Sequence, residues 1–275
     1  MFGFFLKKNF CDIWDNLFHT IAVNLVIVAA GFLCFVGVVM SAYLPGAESF
    51  GNIYTLLAIG LMAVVVSILI FAEGENAAKI VNFEGVKISK FFKNIVPSIK
   101  DGALFGLFIT LLVAVSMVSI PYYFRIWVPA DGSRGSMIGL VMMSIVFWFV
   151  VISILALQWF LPIRSFMHNG FGKCLKKSYI ILFDNMLFTV GVGLVNLVNI
   201  AIMIFSMGVL NGPASMAITT SGALKLRLYK YDWYEVNPGM TKEQRRDVPW
   251  QELIEKDKRI LGPRKWKSFI FPWKE

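Results

Sequence analysis

From Asn185 to Leu224 the chain carries no charged residue. That run is about twice the roughly 20 apolar residues one helical membrane crossing needs at ~1.5 Å rise per residue. With no water in the hydrocarbon layer, a crossing segment must satisfy its own amides as a helix or within a closed barrel. Continuous apolar runs without period-two alternation select helices. One crossing over 185–224, or a hairpin of two, would leave everything that follows on opposite sides of the bilayer, so this run decides the topology.

The remainder of the chain belongs to the same class. Of 275 residues, 57% are hydrophobic and 16% charged, against about 45–50% apolar in soluble domains. The expectation is an all-α polytopic membrane bundle of about six spans, at about 16–43, 52–72, 102–124, 137–163, 185–207 and 209–228. It is preceded by an interfacial helix over 1–15 and followed by a basic amphipathic tail over 229–275. Pro45-Gly46 and Pro129, Asp131 and Gly132 mark turns between spans.

Charge supports the hairpin. Lys and Arg number two before the first span, none between the first two, five in 73–101, two in 125–136, four in 164–184 and thirteen after Ala223. Connections alternate between rich and poor in cations, the positive-inside pattern, which puts both termini on the cytoplasmic side of a bacterial inner membrane only if 185–224 crosses twice. Gly208, Asn211, Gly212 and Pro213 supply the turn. The uncharged part after Pro213 is short, so the last segment either crosses fully, tilts, lies in the interface or forms a re-entrant half-helix, with Lys225 and Arg227 snorkelling to the interface.

Three segments outside the spans are amphipathic. In 1–15, Phe4, Phe5, Trp14 and the adjoining Phe18 are expected toward lipid and Lys7, Lys8, Asp12 and Asp15 toward water; the alternative is an extension of the first span. Over 85–102, Val86, Ile88, Phe91, Phe92, Ile95 and Ile99 alternate with Lys87, Lys90, Lys93 and Lys100. This reads as a basic helix on the anionic lipid of the inner leaflet, with Lys90, Phe91, Lys93 and Pro97 as candidates for docking a partner, or as a plain connector. In the tail, Thr241 and Gln244 fit a capping box, and Pro249 opens a helix to about Leu261 with Trp250, Leu253, Ile254, Asp257 and Leu261 on one face. Trp250, Trp266 and Trp273 are the tail's docking candidates. Basic and aromatic residues together suit a headgroup region, and no nucleic-acid partner is expected.

Little chemistry is visible inside the spans. Apart from Lys225 and Arg227 at the interfacial end of the last span, His19 is their one ionisable residue, whereas proton relays need such groups within the spans. Asn196 and Asn199, three apart on one helical face, form the candidate polar intramembrane pair, to bind a solute or to join helices. Gly102/Gly106, Gly135/Gly139 and Gly208/Gly212 have the small-xxx-small spacing of close helix packing. GFGK at Gly170–Lys173 lacks the phosphate-loop spacing, GxSxG is missing, and two histidines and three scattered cysteines build neither a zinc site nor a disulfide framework. No catalytic residue, metal or cofactor is predicted. The expected role is that of a non-catalytic accessory, scaffold or regulatory protein working with a protein partner or as a homo-oligomer. The alternative is a small-solute or sugar transporter subunit, and third a membrane enzyme.

The stretches FFKNIVPSIKDGALFGLF and LPIRSFMHNGFGKCLKKSYIILFDNMLFTVGVGL resemble the YesL-like family of bacterial membrane proteins over about 16–231. The resemblance implies a basic cytoplasmic helix before each of two inner spans, a Gly-Pro element before the last helix (GPASM here) and a loose link to carbohydrate utilisation and transport, and it brings no established catalytic residues to carry over. Glu75, Ala77, Ala78, Gly85, Ile95, Pro97, Lys100 and Gly102 are also similar to the coupling helix of ABC importer permeases, but the acidic part reads ENAA and lies too far from Gly85.

Overall fold

The computed structural model describes residues 1–45, 47–129, 134–241 and 243–264, with the backbone alone over 47–52. Gly46, Asp131, Gly132, Trp266 and Trp273 lie outside the described residues.

The fold is all-α. In chain order the helices are α1 (Phe2–Asp15), α2 (Leu17–Met40), α3 (Ala47–Val81), α4 (Ile88–Trp127), α5 (Met137–Leu157), α6 (Phe160–Met167), α7 (Phe171–Asp184), α8 (Met186–Phe205), α9 (Pro213–Val236), α10 (Trp250–Leu253) and α11 (Glu255–Leu261). Among the described residues, five helical segments are long and apolar enough to cross a membrane: Leu17–Tyr43, Ile53–Val81, Ile88–Trp127, Met137–Met167 and Met186–Phe205. The chain is therefore a multi-pass membrane protein. The stretch read as a sixth span falls on α9, which is not among these five.

Two helices run further than the charge pattern suggests. Glu73 does not end α3, which continues to Val81, and the basic stretch 85–102 is the first part of one helix that carries on through Pro97 to Trp127. The two are antiparallel and very close. A Cβ on Gly102 would lie 2.6 Å from Ile68 Cα, and one on Gly106 2.5 Å from Val64 Cα. The other two glycine pairs are contacts as well: Gly139 meets the end of α4 at Trp127, and Gly208 and Gly212 meet Val28 and Asn24 of α2.

The core is an aromatic knot. Phe71 of α3, Phe105 of α4 and Phe160 of α6 have ring centroids 5.0–5.8 Å apart, and Phe171 of α7 stacks 5.0 Å from Phe160. Such tilted contacts add to the burial of large apolar area.

Against this knot lies α9, and from Ala214 to Arg227 nearly every side chain is buried. A helix packed against α1, α2, α3, α6 and α8 favours small side chains, and eight of the fourteen residues over this stretch are Ala, Ser, Thr or Gly. Its two adjacent threonines are satisfied within the helix, Thr219 donating to the Ser215 carbonyl (2.9 Å) and Thr220 to that of Met216 (3.0 Å), whereas Ser221 Oγ is buried with no partner among the described residues.

The amino end of α9 also lies inside the bundle. Its first free amide, Ala214 N–H, donates to Asn24 Oδ1 at 2.9 Å, and Asn24 is wholly buried in α2. Gly212 makes this possible by size rather than dihedral angle, since its backbone is extended (φ 177) and a Cβ there would be 2.8 Å from Asn24 Cγ. Replacing Asn24 by Leu strands a buried N–H, which costs about 1–3 kcal/mol. The expected result is a lower Tm in detergent and faster hydrogen exchange at residues 214–216; unchanged exchange there would refute the cap.

Candidate functional site

Buried charge gathers at one end of the bundle, here termed the polar end, where α1, the 82–87 turn, α7, the end of α9 and α10–α11 meet. It begins with the carboxyl end of α3. Phe83 sits in the left-handed region (φ 61), donating its N–H to the Ile80 carbonyl (2.9 Å), while Glu84 N–H reaches Lys79 O (2.9 Å). This is a Schellman cap with phenylalanine where glycine is usual, at a cost of about 1 kcal/mol. The ring placed there faces two ammonium groups, Lys8 Nζ 4.2 Å and Lys225 Nζ 5.1 Å from its centroid. Both ammoniums also donate to the unpaired Val81 carbonyl, at 2.9 and 3.1 Å, so α1 and α9 jointly neutralise the negative end of α3.

Each lysine has its own carboxylate. Lys8 pairs with Asp12 at 2.6 Å. Lys225 pairs with Asp257 of α11, whose Oδ1 accepts from Lys225 (3.2 Å) and from the Tyr229 hydroxyl (3.1 Å) while Oδ2 lies 3.1 Å from the same ammonium. Burial pushes the Asp12 carboxyl up to about 6 against the pull of Lys8. Lys8, Asp12 and Phe5 are thus buried, not facing water or lipid as the α1 pattern suggests; α1 packs on α9, with Lys8 on the end of α3 and Phe5 on Phe188 of α8, partners α1 cannot reveal. Trp14 and Phe18 do face outward.

A second cluster surrounds Arg227. Its guanidinium donates to Asn185 Oδ1 (2.9 Å) and to the Met1 sulfur, and stacks on Phe188 (3.9 Å) and Trp250 (4.8 Å). Beside it Asp184 accepts from Lys230 and the Tyr231 hydroxyl, both at 2.8 Å. Burial alone would raise this carboxyl, but those donors outweigh it and hold it below its usual value. Elsewhere Arg164 of α6 bridges Asp101 (2.9 Å) and Glu75 (3.6 Å), and His19 Nε2 lies 2.9 Å from Glu73 Oε1 while Asn76 donates to Oε2 at 3.0 Å. Asp101 and Asp184, solitary in sequence, are ion-paired in space. Among the described residues no group of His, Cys, Asp and Glu is placed to hold a metal.

The predicted docking residues divide. Lys90, Lys93 and Pro97 are exposed on α4, next to a stripe formed by Ile88, Phe92, Val96 and Ile99, each at least 42% exposed. Phe91 is a correction: it is fully buried with Val23, Ile27, Ala72 and Ala214, because α4 turns that face to α2 and α3. Trp250 is half-buried on Arg227, and the tail face it belongs to is turned inward through Ile254, Asp257 and Leu261. The Thr241/Gln244 box closes reciprocally at 2.9 and 3.3 Å, and Arg264 grips Asp15 of α1 at 2.6 and 2.8 Å. The tail helices therefore strap back onto the bundle. The coupling-helix likeness is split between elements, Glu75, Ala77 and Ala78 on α3 and Ile95, Pro97, Lys100 and Gly102 on antiparallel α4.

Asn196 and Asn199 share a helix face but not a fate. Asn199 donates to Thr219 Oγ1 (3.1 Å) and accepts from Asn211 (2.9 Å), joining α8 to α9. Asn196 lines a cavity of about 530 Å³ between α3, α4, α5, α8 and α9, and its Oδ1 is buried without a partner.

Asp257 is the polar residue on which the tail strap turns. Asp257→Ala leaves the Lys225 ammonium buried with its carboxylate gone, at about 3–5 kcal/mol, so the strap should detach. Trypsin is expected to cut after Arg245, Arg246 and Arg259 at least tenfold faster, and the double variant Lys225→Met/Asp257→Leu should regain much of the resistance. Equal cleavage rates in wild type and Asp257→Ala would show that this pair does not hold the tail.

No family model, curated protein or solved structure matches the chain.

Proposed function

We infer that the chain is a non-catalytic accessory or scaffold protein of a bacterial inner membrane, with both termini cytoplasmic, that binds a protein partner through the exposed stripe at the start of α4. The observation that carries this is the contrast between two sets of charges. Those of the polar end are spent on one another, Lys8 on Asp12, Lys225 on Asp257 and Lys230 on Asp184, and away from it Arg164 is spent on Asp101 and Glu75. Lys90 and Lys93 stand outside these ion pairs on an exposed face, beside Phe92, Val96 and Ile99. Apolar side chains flanked by lysines suit the anionic inner leaflet and an acidic, amphipathic partner seated on it.

The alternation of basic connections supports the orientation, as does α9, which is not one of the five apolar spans but carries the chain back to the side of α1, where Lys225 and Lys8 share the Val81 carbonyl; the resemblance to YesL-like proteins over about 16–231 supports the bacterial setting. A sugar-transporter subunit is the less favoured reading, because the walls of the cavity beside Asn196 are mainly aliphatic and offer a sugar few of the hydrogen bonds it would lose from water.

Crosslinking and copurification from native membranes test the reading. A specific partner should be recovered with the wild type and reduced about thirtyfold by Lys90→Glu/Lys93→Glu, at roughly 1 kcal/mol per surface lysine. Recovery of an ATPase as the main partner, or a double variant that binds as well as wild type, would overturn it. Accessibility tags at Glu84 and Glu275 should report the cytoplasm and one at Leu44 the opposite side; any other pattern rejects the orientation.

A further inference from the structure

We propose that the cavity beside Asn196 is a binding site for a neutral, hydroxyl-bearing lipid, whose chain fills the aliphatic space and whose hydroxyl bonds the amides of Asn196 and Gln158. This inference is independent of the α4 docking surface.

The cavity's size, about 530 Å³, lies within the ~300–1,000 Å³ range of small-molecule sites, as does its make-up of aliphatic walls with few polar groups. Leu161, Ile109, Ile200 and Met216 are among its walls. Its mouth is lateral: Ile154, Leu194 and Leu197, which line it, are 59–62% exposed on the outer surface of α5 and α8. In a membrane that surface meets hydrocarbon, so the occupant arrives from the bilayer rather than from water. Asn196 lies eleven residues along α8 from Asn185, about 16 Å at ~1.5 Å per residue, which is near the middle of a ~30 Å hydrocarbon layer.

At that depth a bare amide is expensive. Asn196 is 7% exposed and has no hydrogen-bond partner among the described residues, with Oδ1 fully shielded. Half a turn about its last torsion exchanges which end of the amide faces the cavity, so it offers a donor or an acceptor. Gln158, at the end of α5, faces α8 at Gly193, one helical turn before Asn196, and spends its Nε2 on the Leu155 and Thr189 carbonyls, at 3.0 Å each. Its Oε1 points toward the gap left by Gly193, 4.0 Å from where a Cβ would be. A hydroxyl matches this pair, donating to one oxygen while accepting from the Asn196 amide. A charged headgroup does not match it, because no residue lining the cavity is charged.

The test uses the full chain in phospholipid vesicles and two photoprobes, a long-chain alcohol with a diazirine in its chain and the alkane of equal length. The alcohol should label cavity residues of α5, α8 and α9, and unlabelled alcohol but not alkane should compete. Asn196→Leu should lower that labelling about fivefold, the worth of roughly one hydrogen bond, while leaving Tm equal or higher because an unpaired amide is gone. Gly193→Leu, whose side chain would enter the cavity, should abolish it. Equal labelling by both probes means ordinary lipid contact and overturns the proposal, as does an Asn196→Leu protein that labels like wild type. If Gly193→Leu fails to fold, the two probes and Asn196→Leu decide.

Discussion

Helix ends are the hardest thing to bury. Each leaves four amides or four carbonyls without partners, and inside a membrane protein there is little water to take them. This bundle ends two helices against other helices and solves each case with a side chain from elsewhere in the chain. Asn24 of α2 caps the start of α9, and Lys8 and Lys225 together cap the finish of α3. Because α9 contributes to both solutions, as recipient at one end and donor near the other, the remaining helices arrange themselves around it.

That arrangement explains where the charges are. A buried ammonium needs both hydrogen bonds and a counter-charge. Lys225 obtains the bonds from α3 and the charge from Asp257, and so draws α11 onto the bundle. Lys8 uses the same carbonyl and brings α1 with it. The strained Phe83 is held between them, giving two cations a shared aromatic face. A surface salt bridge would contribute little. Here removing either carboxylate leaves a charge with nowhere to go, which makes the polar end a single cooperative unit.

Much of the fold was legible in the chain. Apolar runs gave the all-α class, and the three glycine pairs marked real close approaches, at α3–α4, α4–α5 and α2 with the 208–212 turn. The inward face of 250–261 was readable too, including Asp257 as its polar exception. What could not be read depends on pairing across long separations. Nothing near Lys8 indicates that α9 and the end of α3 will enclose it, so the amphipathic pattern of α1 pointed it to water. Phe91 looks like any apolar residue of a basic amphipathic helix until α4 is seen packed along α3. Glu73 reads as the end of a span because a carboxylate usually is; its partners His19 and Asn76 let the helix run on.

Of the two intramembrane asparagines, the sequence offers no reason to prefer one. They lie one turn apart, with similar burial and the same chemistry. The difference comes from α9, which runs antiparallel beside α8 and presents Thr219 and the preceding Asn211 at the level of Asn199, but Met216, Ala217 and Thr220 on the side of Asn196. A thin helix that begins inside the bundle cannot fill the space that a full-width neighbour would. The same small residues that let α9 pack among α1, α2, α3, α6 and α8 leave a void on the side of Asn196, and in that void stands a polar group with no partner among the described residues.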